Sequence, residues 1–328
     1  MQLRWGIIGT GRICQDFCTA LSTCDPNEHS VVAVGSRKQE QADKFATEFK
    51  IPQSYGSYTA CMSDANVDIV YIGTIEQLHR DLCLTAFQAN KHVLCEKPLG
   101  MNSAEVEEIL STAKKSKVFF MEAIWSRFVP IYDDLREALK EIGTVTLVDC
   151  TICVPDLAKN CYSLIMASGI YPIQVALLAF NHEEPEKIIA SGHTKKNIDD
   201  EISDSMSTIT LLYKKNRMAV LTNVGEDIEA VGSLKVYGTK GVISIPKCIW
   251  CPTELNMSGA NTIVKPLPAL EKATNFMNSV GLRYEAIAVR EAILCGKTEH
   301  SYMKYEHSLL ISKIMDETRR QIIALHSK

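Results

Sequence analysis

The sequence predicts an α/β protein: a doubly wound parallel sheet of Rossmann type, followed by an α+β half with an open, largely antiparallel sheet. Three observations carry this. Near-continuous apolar strands alternate with helical patterns through about residue 125, and a glycine turn, Gly9-Thr10-Gly11, links the first strand to the first helix. From about residue 144, strands follow one another with few helices between them. The 328-residue length fits two domains, placed at 1–125 and 126–328, with the C-terminal helix free to return to the first.

Leu3, Trp5, Ile7 and Ile8 form the first buried strand, and Ile13, Phe17, Ala20, Leu21 and Cys24 then recur at helical spacing. Strand, glycine turn and helix start make a cradle for a pyrophosphate. Backbone at Gly9, Thr10, Gly11, Arg12 and Ile13 approaches the ligand, and the helix N-terminus offers free N–H groups. The third small position of G-x-G-x-x-G is Cys14, which predicts a helix held slightly further from its ligand or strand.

A second strand, 29–35, ends at Ser36, Arg37 and Lys38. NAD enzymes place an acid at this strand end for the ribose 2′-hydroxyl, whereas a 2′-phosphate needs cations and hydroxyl donors. These three residues supply the latter, so the expected cofactor is NADP(H). A helix over 39–49, a turn and helix over 55–63 and a third strand over 67–73 follow. Thr74 leaves that strand, His79 opens a helix to residue 90, and a fourth strand, 91–95, ends at Glu96-Lys97-Pro98. Asn102 and Glu105 have the spacing of a capping box for a helix to about residue 115, and 118–121 is a fifth strand followed by 122–128. Ligands bind beyond the carboxyl ends of such strands. Gly9, Ser36, Thr74, Glu96, Lys97 and Glu122 all fall on that edge.

In the second half, 144–153, 187–193, 205–213, 217–224, 233–237 and 242–245 read as strands, 171–180 as an apolar helix, and 238–241 as a hairpin turn. Met206, Ile209, Leu211, Met218 and Val220 are compatible with a covered sheet face, by a second subunit or by a helix. Residues 282–295 and 305–324 close the chain as helices.

A net charge of −4 without a basic cluster excludes nucleic-acid and anionic-membrane partners as expectations. No apolar run approaches the roughly 20 residues of a spanning helix, and the start of the chain has no leader pattern. Two of the twelve-cysteine set's spacings are C-x-x-C, at Cys150/Cys153 and Cys248/Cys251. Both lie in strand-like segments, where residues three apart point to opposite faces, so small buried hydrophobes in a reducing cytoplasm are expected and no metal site.

GTGRIC at the turn, CEKP at 95–98, MEAIWSRF at 121–128 and GIYPIQ at 169–174 together resemble the Gfo/Idh/MocA oxidoreductase family, over almost the whole chain. Segments such as QSYGSY (53–58), YGTKG (237–241) and CIWCPTEL (248–255) resemble its dihydrodiol and D-xylose dehydrogenase branch. The resemblance implies hydride transfer between NADP and a diol or sugar hydroxyl or carbonyl, with a carbohydrate or cyclic diol as substrate and a homodimer as assembly. It makes Lys97 a fixed cation at the substrate hydroxyl and Tyr171 the proton donor and acceptor. A phenol, with a reference pKa of about 10, serves near neutrality only beside a cation. The resemblance also places His79 near the cofactor, toward which the strand edge brings Thr74 and Glu96, and Trp125 and Trp250 at the substrate pocket. One position departs: Ala167 stands where the family carries an aspartate, and the connection 155–161 is several residues short. That departure opens an alternative, an NADP(H)-binding family member with little or no catalysis.

Overall fold

In the computed structural model, which describes residues 1–154, 161–197, 199–225, 231–270 and 272–326, the first strand is β1 (Leu3–Ile8) and the first helix α1 (Arg12–Leu21). Then come β2 (His29–Gly35), α2 (Gln39–Phe49), β3 (Gln53–Tyr55), α3 (Tyr58–Met62), β4 (Ile69–Ile72), α4 (His79–Gln88), β5 (His92–Glu96), α5 (Ser103–Ser116) and β6 (Phe120–Ala123). The six strands pair in parallel in the order β3-β2-β1-β4-β5-β6, so the order reverses between β1 and β4. All four residues of β4 are buried, as a strand covered on both faces requires.

Contacts divide the chain into two compact units, Met1–Phe128 with Leu267–Ser308, and Val129–Pro266 with Leu309–Lys328. Segment 267–308 brings α8 (Leu282–Leu294), which packs on α1. The tie is explicit. The buried Asp16 of α1 accepts the Ser279 hydroxyl at 2.6 Å and the N–H groups of Asn275 at 2.8 Å and Phe276 at 2.9 Å.

Two local readings change. Asn102 Oδ1 does accept the Glu105 N–H at 3.0 Å, but Glu105 accepts from the Met101 N–H at 2.9 Å, one residue before its expected partner. Glu122 lies inside β6, not after it.

The second unit contains α6 (Pro130–Glu141), β7 (Val145–Cys153), a π turn (Ile165–Gly169), α7 (Ile170–Ala179), β8 (Lys187–Lys196), β9 (Ile202–Tyr213), β10 (Arg217–Val224), β11 (Val231–Gly238), β12 (Gly241–Ile245), β13 (Glu254–Met257) and β14 (Ile263–Val264). The strand order is β14-β13-β12-β11-β7-β10-β9-β8. Every neighbouring pair is antiparallel except β10 with β7. Gly238 and Gly241 face each other across the expected hairpin turn. Parity separates the apolar residues. Ile209, Leu211, Ala219 and Leu221 are buried, while Met206, Met218 and Val220 are half-exposed on the opposite face.

Sequence inspection missed α6, although Pro130 at its first turn and the buried Ile131, Leu135 and Ala138 are a helix signature. The last helix, α9, runs over Tyr305–His326. All cysteines but Cys161 and Cys295 are buried. Among the described residues, no helix is long and apolar enough to cross a membrane.

Candidate functional site

The glycine turn lies at the carboxyl end of β1, beside the reversal of strand order. Gly9 has φ +112°, which L side chains rarely adopt, and an added Cβ would stand 3.0 Å from the Gly73 carbonyl oxygen. At Gly11 an added Cβ would meet only that same oxygen, at 3.9 Å, so space above the turn is open. Gly11 caps α1 without any side-chain hydrogen bond, and no acid lies in the helix's first turn. Its leading N–H groups therefore keep their partial positive charge for an incoming anion.

The departure at Cys14 is absorbed by the neighbouring strand. Its buried Sγ lies 3.3 Å from the Gly73 carbonyl oxygen, and a Cβ at Gly73 would stand 2.5 Å from that sulfur. Close helix–strand packing, which a third glycine gives on the helix side, here depends on a glycine after β4. Sequence order alone hides that exchange.

Along the same edge, Ser36 is buried, receives its place from an N–H to Tyr55 carbonyl bond of 3.0 Å, and lies 3.2 Å by its hydroxyl from Gln41 Oε1. Arg37 and Lys38 are exposed, with the Arg37 guanidinium beside the Tyr58 hydroxyl. Arg12 stacks over the Phe276 ring, 5.0 Å from its centroid, and Ile13 is half-buried. Thr74 is half-buried, its hydroxyl 3.3 Å from the Ile75 carbonyl.

His79 is brought to this edge but held from beneath. Its Nδ1 lies 2.8 Å from the Pro98 carbonyl and its Nε2 3.2 Å from the Thr74 carbonyl. Burial lowers its pKa, and a neutral imidazole donates to only one of the two. Both ring nitrogens face backbone, so the ring latches the exit of β4 to the turn after β5.

That turn carries Glu96 and Lys97. The buried Glu96 accepts the Tyr71 hydroxyl at 2.6 Å, and Tyr71 stacks on Phe17 with centroids 3.8 Å apart. Burial raises the Glu96 pKa, with the Lys97 ammonium pulling the other way. Two further buried carboxyls lie near. Glu122 accepts the Leu99 N–H at 3.1 Å, and burial pushes it up to about 7. Glu285 of α8 has no partner for either oxygen, and burial, followed by the charge of Glu96, raises it well above the carboxylate range. Lys97 itself is half-buried. Trp125 is nearly buried in the short 3-10 turn Trp125–Phe128.

Residues 3–124 match the GFO_IDH_MocA model, described as an oxidoreductase family with an NAD-binding Rossmann fold. The chain is 40% identical over 337 residues to trans-1,2-dihydrobenzene-1,2-diol dehydrogenase of Danio rerio, covering 100% of this chain and 99% of that one. It belongs to the Gfo/Idh/MocA oxidoreductase family. The Homo sapiens enzyme of the same name is 35% identical, covering 98% of this chain and 97% of its own. Among solved structures, KijD10, a 3-ketoreductase from Actinomadura kijaniata in complex with NADP and TDP-benzene, superposes with a TM-score of 0.80. It is 21% identical and covers 98% of each chain, so this likeness is one of fold.

In this Gfo/Idh/MocA chain, Tyr171 is the second residue of α7 and only 6% exposed. Ala167 lies half-buried on the preceding π turn. Trp250 is nearly buried, and Gly232 leaves it room, because a Cβ there would stand 2.6 Å from the indole. Of the shortened connection, 155–161, residues 155–160 lie outside the described residues.

Sequence inspection did not find what holds the π turn. The buried Asp204 of β9 accepts the Ser163 hydroxyl and, at 2.7 Å, the Ile165 N–H. Ser168 donates to Asn223 Oδ1 of β10 at 2.9 Å. Burial and pairing, which no local pattern encodes, make these five residues the support of the turn that leads into Tyr171.

Proposed function

We propose that the protein is an NADP(H)-dependent dehydrogenase that moves hydride between nicotinamide and a diol or sugar hydroxyl or carbonyl. One observation carries this reading: an uncapped helix start at an open glycine turn shares a strand edge with Ser36, Arg37 and Lys38 and with no acid at the end of β2. The turn fits the dinucleotide, since Gly11 leaves space that a Cβ would begin to fill. N–H groups of α1 hold the pyrophosphate, while the Ser36 hydroxyl and the Arg37 and Lys38 cations receive a 2′-phosphate.

The bound nicotinamide supplies the hydride donor or acceptor. Lys97, fixed after β5, offers a cation that lowers the cost of charge on the substrate oxygen. Tyr171 exchanges the proton with that oxygen, and Trp125 and Trp250 present aromatic walls to the substrate. The dehydrogenase names of relatives sharing the full chain support this assignment. Steady-state oxidation of D-xylose and of trans-cyclic diols with NADP+ and NAD+ tests it. NADP+ is expected to be preferred, and Lys97→Met to lower kcat/KM by at least about a hundredfold, or roughly 2.7 kcal/mol of transition-state stabilisation. Tight NADPH binding without turnover across the panel overturns the enzyme reading. Ala167, which offers no group to orient a hydroxyl, is what favours that second reading, a coenzyme-binding protein without catalysis.

The sheet face with half-exposed Met206, Met218 and Val220 supports a homodimer through this face, tested by the solution mass of wild type against Val220→Lys. The buried thiols suit a reducing cytoplasm.

A further inference from the structure

Ligands of this fold class meet the ends of the strands, but a cavity of about 890 Å³ opens in the first unit where β2 begins. It is lined by the last turn of α1, the start of β2, the end of α2, residues 268–270, Lys272 and Arg283. Its volume lies in the range of sites for small organic ligands, roughly 300–1,000 Å³.

Two of the lining residues, His29 and Arg283, each carry a buried side-chain nitrogen without a partner, Nε2 and Nε. His29, 5% exposed, accepts the Trp5 indole N–H on Nδ1 at 3.2 Å. A neutral ring whose Nδ1 accepts must carry its proton on Nε2. Burial, with Arg290 and Arg283 acting against Glu28, holds His29 neutral down to about pH 4. Both orphans are therefore N–H donors, and what the cavity lacks is an acceptor. Unmet buried donors destabilise a fold until an acceptor reaches them.

Charge points the same way. Lys50, Lys272 and Arg283 line the cavity against one described carboxylate, Glu48, which Lys272 already pairs at 2.6 Å. At the close of α1 the Thr19 and Ala20 carbonyls are already engaged, accepting the Ser22 and Thr23 hydroxyls at 2.7 and 2.6 Å. Leu21 and Phe49 supply apolar wall.

We propose that this cavity is a second binding site, for a small organic anion whose carboxylate or sulfonate meets His29 and Arg283 and whose apolar body lies against Leu21 and Phe49. It is separate from the coenzyme edge, because His29 starts the strand whose far end carries Ser36. It does not rest on the coenzyme reading, and a chain that bound no NADP+ would still take the anion.

The probe is 8-anilinonaphthalene-1-sulfonate, titrated by fluorescence with and without saturating NADP+, with decanoate as competitor. One site per chain is expected, displaced by decanoate and indifferent to NADP+. Arg283→Met and Lys50→Glu each weaken it about tenfold, as loss of a charged contact does. On the wild type, long-range 1H–15N spectra show the His29 Nε2–H tautomer and a shift of that nitrogen on adding decanoate. Weakening below threefold in both variants, displacement by NADP+, or an unmoved His29 signal overturns the proposal.

Discussion

Glu285 has both carboxyl oxygens buried and no hydrogen-bond partner for either. Burial, and after it the charge of Glu96, favours its protonated form in the fold. Its folded pKa is raised above the unfolded value, so the folded state binds the extra proton. The favourable contribution is complete below about pH 4.3 and fades as pH rises toward the folded value. Glu122, pushed to about 7, acts in the same sense. Glu285→Met removes the titration and the unmet polar atoms while keeping volume. It should stabilise the protein at pH 8 by about 1–3 kcal/mol, and by less at pH 5. Denaturant midpoints at the two pH values check this, and an equal gain at both would remove the protonation argument. His79 teaches a different lesson at this scale. Its position after a strand was readable, but only the fold reveals that two carbonyls claim its ring.

Elements meet at Cys14 and Gly73, where α1 crosses the end of β4. Gly73→Ala should cost about 1–3 kcal/mol by overpacking, since the new Cβ would stand 2.5 Å from the Cys14 sulfur. Adding Cys14→Ala should recover part of that loss, the Tyr71 ring at 2.9 Å keeping the rest, and a double-mutant cycle by urea unfolding reads the coupling. Additive losses would place the strain elsewhere. At the π turn, Asp204→Ala leaves the Ser163 hydroxyl and the Ile165 N–H without their acceptor. A destabilisation of about 2–4 kcal/mol is expected, together with a fall in kcat larger than any change in KM, because Tyr171 loses its support.

These two sites mark the limit of what was legible. The strands of both sheets and the glycine turn announce themselves through periodicity and spacing, which are local. The Cys14–Gly73 exchange and the Asp204 anchor join residues far apart in sequence, so no window contains them. The short β3, β13 and β14, which sequence reading missed, carry too few residues for any period to show. At α6 the pattern was present, in Pro130 and the 131, 135, 138 spacing, and it is the one omission that local reading should have avoided.

At the scale of the whole molecule, buried thiols govern behaviour in alkali. Burial raises the pKa values of Cys14, Cys18, Cys61, Cys95, Cys150 and Cys251. Unfolded thiols release protons from about pH 8.5, while these six keep theirs in the fold. The unfolded state then binds fewer protons, so stability is present below that pH and falls above it, by up to about 1.4 kcal/mol per pH unit for each thiol. Melting under reducing conditions should show Tm dropping far more between pH 8.5 and 10 than between 7 and 8.5. A flat profile would mean the sulfurs ionise in place.

The same cysteines give the chain an internal clock. Among the described residues Cys295 is the exposed thiol, and it would be alkylated at once by a small reagent. Cys14, Cys18, Cys61, Cys83 and Cys95 belong to the first unit, and Cys150, Cys153, Cys248 and Cys251 to the second. Each reacts only when its own surroundings open, so peptide-resolved alkylation separates the opening rates of the two units without adding a probe. A coenzyme that steadies the first unit would slow one set of sulfurs and leave the other set to its own rhythm.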